Sequence, residues 1–320
     1  MHIGVFTCLF QKLPFEEALD KAVAAGVTAV EIGCGGYPGG HHCPVDSLLD
    51  SESQRETYMN AIASRGLILS ALSIHNNPLH PDPEMAKQAD NELRRTIELA
   101  ELLGVPVVNG FSGLPAGAPG DRMPNWVTCP WPPEFLEMLD YQWNEVAIPY
   151  WNQLEQFAAD HGVRIAFEMH PGMLVYNVET LLRLRDATGP SLGCNFDPSH
   201  LWWNGVDAVA AIRKLGDAIF HVHGKDCYVD QINIAVNGCN DHKPYEEIAD
   251  RAWTFRSIGY GHDTQTWKDI VSALRLVGYD YVISIEHEDA MMSIDEGLAK
   301  GVAMLQSVNI FEKPGEMFWA

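Results

Sequence analysis

The pattern that most constrains the fold is a glycine at the end of a helix-like segment, followed by an apolar, β-rich run. It occurs at seven glycines along the chain: Gly26, Gly66, Gly104, Gly162, Gly189, Gly216 and Gly278. Glycine takes the left-handed conformation at little steric cost, so each of these residues is expected to end a helix. The runs that follow are continuously apolar, which is typical of parallel strands buried on both faces. With the opening run HIGVF, the pattern predicts eight strands.

The segments between these strands have the periodicity of helices. Pro14 is expected at the first helical position of the first segment, which runs to Ala25. In the third segment, apolar residues recur at helical spacing and predict one buried face: Met85, Ala89, Leu93, Ile97, Ala100 and Leu103. Alternation of strands and helices over the whole length predicts an α/β protein, a (β/α)8 TIM barrel formed by residues 1–320 as a single domain.

Two connections are much longer than ordinary loops of such a barrel. They follow strands 4 and 7 and run from about residue 111 to 133 and from about residue 224 to 262. Both are expected at the C-terminal face of the barrel, where active sites form. No phosphate-binding glycine motif follows a strand, which disfavours an open nucleotide-binding sheet.

Four of the predicted strands end in a carboxylate or a histidine. The segments are IAFEMHPG, GCNFDPSH, IFHVHGKD and VISIEHED, and the residues concerned are Glu168, Asp197, His223 and Glu286. An unpaired buried carboxylate is costly, so several that converge on one barrel face are best satisfied by a cation. Oxygen-rich ligation with one imidazole favours a hard divalent ion. We expect one Mn²⁺ ion, with Mg²⁺, Co²⁺ or Zn²⁺ as alternatives.

Other polar residues are expected close to this point. Side chains alternate along a strand, so His170 lies on the same side as Glu168 and Glu288 on the same side as Glu286. Candidates for substrate binding are His75, Asn109, Lys225, Trp202 and Arg256. The alternative for these is a hydrogen-bonded core, packing or surface role. His41, His42 and Cys43 in a glycine-rich loop could instead mimic a zinc cluster.

The charge balance disfavours nucleic acids and anionic membranes as partners. The chain has 21 basic and 43 acidic residues, a net charge of -22 that repels phosphate groups. The opening residues lack the features of a signal peptide, and no apolar stretch is long enough to span a bilayer. The seven cysteines form no CxxC pair, which predicts reduced thiols and a cytoplasmic protein.

The residues from Glu168 onward resemble the sugar-phosphate isomerase/epimerase superfamily of xylose-isomerase-like TIM barrels, which includes ketose 3-epimerases, inosose dehydratases and inosose isomerases. The motifs that carry the resemblance are E-x-H-P-G at Glu168, F-D-P-S-H at Asp197, H-V-H-x-K-D at His221 and S-I-E-H-E-D at Glu286. The resemblance implies that one divalent metal ion is bound by Glu168, Asp197, His223 and Glu286. It also implies that His200 contacts the substrate.

One position departs from the ketose 3-epimerases, which have a further glutamate six residues after the ligand on strand 5. Here that position is Leu174. The pair of Glu168 and His170 is similar instead to the catalytic subunit of C-glycoside deglycosidases, which cleave 3-oxo-glycosides by elimination. The position therefore puts a simple ketose 3-epimerase in doubt.

These features predict a divalent-metal-dependent isomerase or epimerase of a sugar, cyclitol or keto-sugar that acts through a metal-stabilised enediolate. The candidates for the catalytic base are His170, Glu168 and Glu286. The alternative is a lyase or dehydratase that eliminates from a 3-keto-glycoside or inosose. A related endonuclease and a non-catalytic scaffold are further alternatives. The apolar tail, with Met317, Phe318 and Trp319, could dock on its own barrel or on another subunit of a homo-oligomer.

Overall fold

The computed structural model describes residues 1–313 and 315–319. Its strands, in chain order, are β1 (His2–Phe6), β2 (Ala29–Gly36), β3 (Ile68–His75), β4 (Val107–Gly110), β5 (Arg164–Glu168), β6 (Leu192–Phe196), β7 (Ile219–Gly224), β8 (Asp226–Val229), β9 (Trp253–Arg256) and β10 (Val282–Ile285). Strands β1 to β7 and β10 form a closed barrel, in which β10 pairs in parallel with both β7 and β1. The predicted (β/α)8 barrel is confirmed.

The helices surround this barrel. They are α1 (Phe15–Ala25), α2 (Val45–Asp50), α3 (Glu52–Ala63), α4 (Pro83–Leu103), α5 (Glu134–Asp140), α6 (Ile148–Asp160), α7 (Val178–Thr188), α8 (Ser199–Trp202), α9 (Ala208–Leu215), α10 (Gln231–Asn237), α11 (Thr264–Leu276) and α12 (Ile294–Val308). A π-helical stretch, Tyr141–Ala147, joins α5 to α6. In the described part of the chain, no helix combines the length and apolar character needed to cross a membrane.

Helix α4 shows how the sequence sets one barrel unit. Its N-cap residue Asp82 accepts hydrogen bonds from the backbone N–H groups of Glu84 and Met85, which satisfies two donors of the first turn. The predicted face is buried except at Met85, which is 54% exposed and lines an open groove. At the start of α1 the prediction was wrong by one residue, because Pro14 is the N-cap residue and the helix begins at Phe15.

The glycine pattern is confirmed at six of its seven positions, where φ is positive. Gly104, for example, ends α4 with φ 68° and ψ 27°. The prediction was wrong at Gly189, whose φ of 165° is extended backbone. A Cβ atom there would lie 2.4 Å from Oε1 of Glu155, an atom that accepts the N–H of Ser191. Close approach of a side chain, rather than backbone handedness, therefore explains this glycine.

The two long connections lie after β4 and β7, as the sequence predicts. The second contains the antiparallel hairpin of β8 and β9 together with α10. The hairpin has a small core of its own, in which Trp203 and Trp253 stack with ring centroids 4.5 Å apart. At the end of the chain, Phe318 is 92% exposed and Trp319 is 72% exposed. Docking of the tail on its own barrel is therefore wrong for these residues, and docking on another subunit stays a prediction.

Candidate metal centre

Four barrel strands each bring one polar side chain to the same point. These are Glu168 at the end of β5, Asp197 directly after β6, His223 in β7 and Glu286 directly after β10. One ligand atom of each lies within 4.8 Å of the others. The Nδ1 atom of His223 is 3.3 Å from Oε2 of Glu168 and 3.3 Å from Oε2 of Glu286. The structure therefore brings together the four residues expected to bind metal.

Two atoms at this point are buried without a hydrogen-bond partner among the described residues. They are Oδ2 of Asp197 and Nδ1 of His223, which lie 3.8 Å apart. A buried polar atom without a partner costs about 1–3 kcal/mol. A cation between them would satisfy both atoms, and three carboxylates with one imidazole suit a hard divalent ion. The residues present thus fit a divalent metal ion.

The charges at the centre also favour a cation. Burial opposes ionisation of Glu168, but the nearby imidazoles of His200, His223 and His75 outweigh it and hold the pKa of this carboxyl well below its usual value. Burial likewise opposes protonation of His223, yet the carboxylates of Glu31 and Glu286 raise the pKa of its imidazole well above the usual value. A metal ion bound by His223 would therefore displace a proton.

Lys225 is a buried cation beside the same carboxylates. Its side chain is 2% exposed, and Nζ lies 2.8 Å from Oε2 of Glu286 and 2.8 Å from Oε2 of Glu288. Burial opposes its charge, but Glu286 and Glu288 outweigh this effect and raise the pKa of Lys225 well above its usual value. The ammonium group also lies 4.4 Å from the centroid of the Phe255 ring. Lys225 therefore offers a fixed positive charge at the edge of the centre.

A buried polar layer lies beneath the centre and orients His223. Both carboxylate oxygens of Glu31 lie 3.1 Å from Nε2 of His223. Glu31 also accepts hydrogen bonds from Ser73, at 2.5 Å, and from Asn109, at 2.9 Å. A carboxylate can only accept, so Nε2 of His223 carries the proton that it donates to Glu31. This arrangement turns Nδ1 toward the three carboxylates. In many metal sites a carboxylate orients the histidine ligand in the same way, by accepting a hydrogen bond from its other ring nitrogen.

Three further histidines lie where the sequence predicts them. His75 and His200 approach Glu168 with their Nε2 atoms, at 3.1 Å and 2.9 Å. His170 packs against His200 with ring centroids 4.1 Å apart, and Glu168, His170 and His200 have ligand atoms within 4.8 Å of one another. Burial, and then the charge of His200, lower the pKa of His170 to about 3. The imidazole of His170 is therefore neutral at neutral pH.

Two of the residues expected to bind substrate lie elsewhere. Asn109 pairs in the sheet with Ala166, two residues before Glu168, so it lies one layer deeper and bonds to Glu31 and His221. Trp202, at the end of the short helix α8, stacks on His262 with ring centroids 3.8 Å apart and does not line the cavity. For these two residues the structure favours the core and packing alternatives.

Arg256 lies farther out than expected. Its Nε atom donates to Oδ2 of Asp289 at 3.1 Å, and its side chain lines an outer cavity rather than the inner one. Lys225, His75 and His200 all line the inner cavity, whose volume is about 290 Å³. Phe6, Cys8, Gln11, Tyr37, Pro38 and Phe111 complete most of its wall.

The sequence placed Glu31 at a strand end and Glu288 beside Glu286 but assigned neither of them a role in the site. Both carried a signal, because Glu31 ends an apolar run and Glu288 lies two residues after Glu286. The aromatic residues Phe6, Tyr37 and Phe111 carried none, since they are indistinguishable in sequence from core residues.

The zinc alternative at His41, His42 and Cys43 is not supported. Nε2 of His42 bonds to the carbonyl oxygen of Leu13 at 3.0 Å, and the Cys43 thiol lies 3.3 Å from the Cys34 thiol. In residues 1–313 and 315–319, every cluster of three or more metal-ligand side chains lies at the barrel centre.

The chain is similar to known proteins in sequence and in fold. The chain is 43% identical over 309 residues to the uncharacterized protein YfiH of Bacillus subtilis strain 168. The aligned region covers 96% of this chain and 98% of that protein. It is 28% identical over 143 residues to an inosose dehydratase of Geobacillus thermodenitrificans, covering 44% of this chain and 46% of that enzyme.

A solved structure shares the fold over almost the full length. It is that of a D-tagatose 3-epimerase-like protein, with a TM-score of 0.64, 22% identity and coverage of 96% of this chain and 97% of that one. The model of the family described as xylose isomerase-like TIM barrel matches residues 19–308. The chain therefore belongs to the xylose isomerase-like TIM barrel family.

Proposed function

We propose that this chain is a divalent-metal-dependent isomerase or epimerase that acts on a sugar, cyclitol or keto-sugar through an enediolate. The observation that carries the proposal is the convergence of Glu168, Asp197, His223 and Glu286, with two buried atoms that have no hydrogen-bond partner among the residues described. These four residues would hold the ion. When bound, the ion would polarise a carbonyl group and stabilise negative charge on its oxygen.

His170 is the proposed base. Its Nδ1 atom lies 2.6 Å from the carbonyl oxygen of Pro171, and a carbonyl only accepts, so Nδ1 carries the proton and Nε2 keeps a free lone pair. The α C–H bond of the substrate would break toward Nε2, and its electron pair would form the C=C bond of the enediolate. Return of the proton to the neighbouring carbon, with transfer of the hydroxyl proton to the other oxygen, gives isomerisation. Protonation of the original carbon on its opposite face by a second acid gives epimerisation. Glu168 and Glu286 are the alternative bases.

The other residues of the inner cavity would bind and orient the substrate. His75 and His200 hold the Glu168 carboxylate by hydrogen bonds, at 3.1 Å and 2.9 Å, and face the same cavity. Lys225, whose charge is fixed by Glu286 and Glu288, would donate to a substrate oxygen. Preorganised donors of this kind stabilise charge that develops on oxygen during proton transfer.

A second candidate is a lyase or dehydratase that acts on a 3-keto-glycoside or inosose. Leu174, in the place where ketose 3-epimerases have a further glutamate, is 4% exposed and packs in the main core, so this position offers no second carboxylate. In this reaction the same enediolate would expel a β-substituent, which takes the electron pair and a proton from Lys225 or His200. The similarity to an inosose dehydratase also favours this candidate.

Metal removal tests the common part of both candidates. The chain would be chelated until elemental analysis finds no metal, and exchange of α-protons with D₂O would be followed by NMR on ketohexoses, inososes and 3-keto-glucosides. We expect exchange to be lost and then restored by Mn²⁺ or Co²⁺. Full exchange in metal-free protein would contradict the proposal. The NMR products separate the candidates, because isomers or epimers keep all substituents and an eliminase releases one.

A matched pair of variants locates the ion. Asp197→Asn should weaken Mn²⁺ binding at least about 10-fold, since even outer-shell partners of a metal site contribute that much. Asp186→Asn, the same change at an exposed residue of α7, should leave it unaltered. Equal effects of the two changes would mean that the ion binds elsewhere.

A further inference from the structure

A second cavity, of about 550 Å³, adjoins the metal centre and has a mainly apolar wall. We call it the outer chamber. Its main lining residues are Tyr37, Phe111, Met173, Tyr245, Phe255 and Met291. The inner cavity is different in character, because its wall contains Glu168, His200, Lys225, Glu286 and Glu288. The site therefore has a polar inner part and an apolar outer part.

The two cavities are continuous. Tyr37, Phe111, His170 and Glu288 line both of them, and His170 is the residue proposed as the base. A ligand that places a carbonyl group at the metal centre can therefore extend past His170 into the outer chamber. Ligand pockets of about 300–1,000 Å³ suit molecules of drug size, so the outer chamber has room for a substituent beyond a sugar ring.

The outer chamber exposes apolar surface that the chain itself does not cover. Tyr37 is 72% exposed, Tyr245 is 54% exposed and Met291 is 61% exposed. These three residues come from the segments after β2, β7 and β10, and the long segment after β7 also supplies Phe255. Contiguous exposed apolar surface beside a polar site is typical of a ligand-binding groove.

We propose that the substrate carries an apolar group of aromatic size on its sugar-like ring, as in an aryl keto-glycoside, and that the outer chamber binds this group. The proposal rests on the proposed function, because the sugar-like ring occupies the metal centre. A free ketose or inosose carries an oxygen on every carbon and, when bound at the metal centre, has no apolar substituent to cover the wall of the outer chamber. Phe111 and Phe255 provide aromatic faces and edges on which an aromatic ring can pack.

The test compares two probes on the full-length chain loaded with Mn²⁺. Calorimetry would measure the Kd of phenyl 3-oxo-β-D-glucopyranoside and of methyl 3-oxo-β-D-glucopyranoside. We expect the phenyl compound to bind about 10- to 100-fold more tightly, the range that corresponds to burial of one aromatic ring. Ala290→Trp fills the outer chamber and should reduce this preference to about threefold or less. Ala299→Trp, on the exposed face of α12, is the matched control and should keep it.

Equal binding of the two probes, or no binding of either, would overturn the proposal. The two probes could also bind equally to the wild-type chain but unequally to a variant with both Phe318→Ala and Trp319→Ala. That result would mean that the exposed tail of a second copy occupies the outer chamber, and it would overturn the proposal too. Deuterium exchange on unsubstituted keto-sugars reports separately on the proposed function. A chain that exchanges those protons but does not prefer the phenyl probe retains the function and refutes the aromatic group.

Discussion

Replacement of Glu31 by glutamine tests how His223 is held for metal binding. The side chains have nearly the same shape, but glutamine has an NH₂ group in place of one carboxylate oxygen. Oε1 of Glu31 accepts from Ser73 and Asn109, so the amide oxygen is expected there and the NH₂ group at Oε2, 3.1 Å from Nε2 of His223. One of the two acceptors at 3.1 Å from Nε2 would then become a donor, which favours a move of the His223 proton to Nδ1, the atom that faces the metal centre.

The expected magnitude follows from this change of tautomer. Loss of an outer-shell partner of a metal-binding histidine typically lowers metal affinity about 10- to 100-fold. Loss of the carboxylate also removes the largest attraction that raises the pKa of His223, so a proton competes less with the ion and part of the loss is offset. We expect Glu31→Gln to weaken Mn²⁺ binding by about this range while the fold is retained.

The assay is competition for Mn²⁺ with a chelator of known affinity, for the wild-type chain and the variant. Ser73→Ala is the matched control, because it removes a hydrogen bond to Glu31 but leaves the carboxylate beside His223. It should change the affinity by less than about threefold. An unchanged affinity in Glu31→Gln, or an equal loss in both variants, would refute the role assigned to Glu31.

Two further predictions concern the base and the pH dependence of stability. His170→Ala should keep Mn²⁺ affinity but lower α-proton exchange by about 10²–10⁴-fold, which is the usual contribution of a general base. Unchanged exchange, measured by NMR in D₂O, would exclude His170 as the base. Burial raises the pKa of Tyr279 above its usual value of 10.0. The contribution of this side chain to the free energy of unfolding is therefore complete below pH 10 and is lost as the pH rises above 10. Between pH 9 and 11 the wild-type chain should therefore lose about 1.4 kcal/mol more stability than Tyr279→Phe in urea denaturation, whereas parallel losses would contradict this assignment.

Much of the barrel and of the metal centre could be predicted, because both depend on local chemistry. Glycines that end helices and continuous apolar runs mark buried parallel strands, and the carboxyl ends of such strands meet at one face. Glu168, Asp197, His223 and Glu286 all lie at or just after strand ends, so the closed barrel brings them together without further information. Their role as metal ligands stays a proposal, as does a location in the cytoplasm.

The rest depends on register, which sequence patterns do not report. The register of the β2–β3 pairing shifts between Val30 and Glu31, and Glu31 lies beneath His223 instead of in the inner cavity. Asn109 lies near a strand end like the four proposed ligands, but β4 pairs with β5 so that Asn109 stands beside Ala166, one layer too deep. The hairpin that supplies Phe255 to the outer chamber pairs residues more than 20 positions apart, from Asp226 to Arg256, with no periodic signal between them.

We propose that Glu168, Asp197, His223 and Glu286 together bind one divalent ion. The most direct test is an anomalous difference map at the manganese edge, from crystals of the full-length chain grown with Mn²⁺. We predict one strong peak about 2.0–2.3 Å from a ligand atom of each of the four side chains, with Nδ1 of His223 among them. A map with no peak at this point, or a peak bound by other residues, would contradict this metal site.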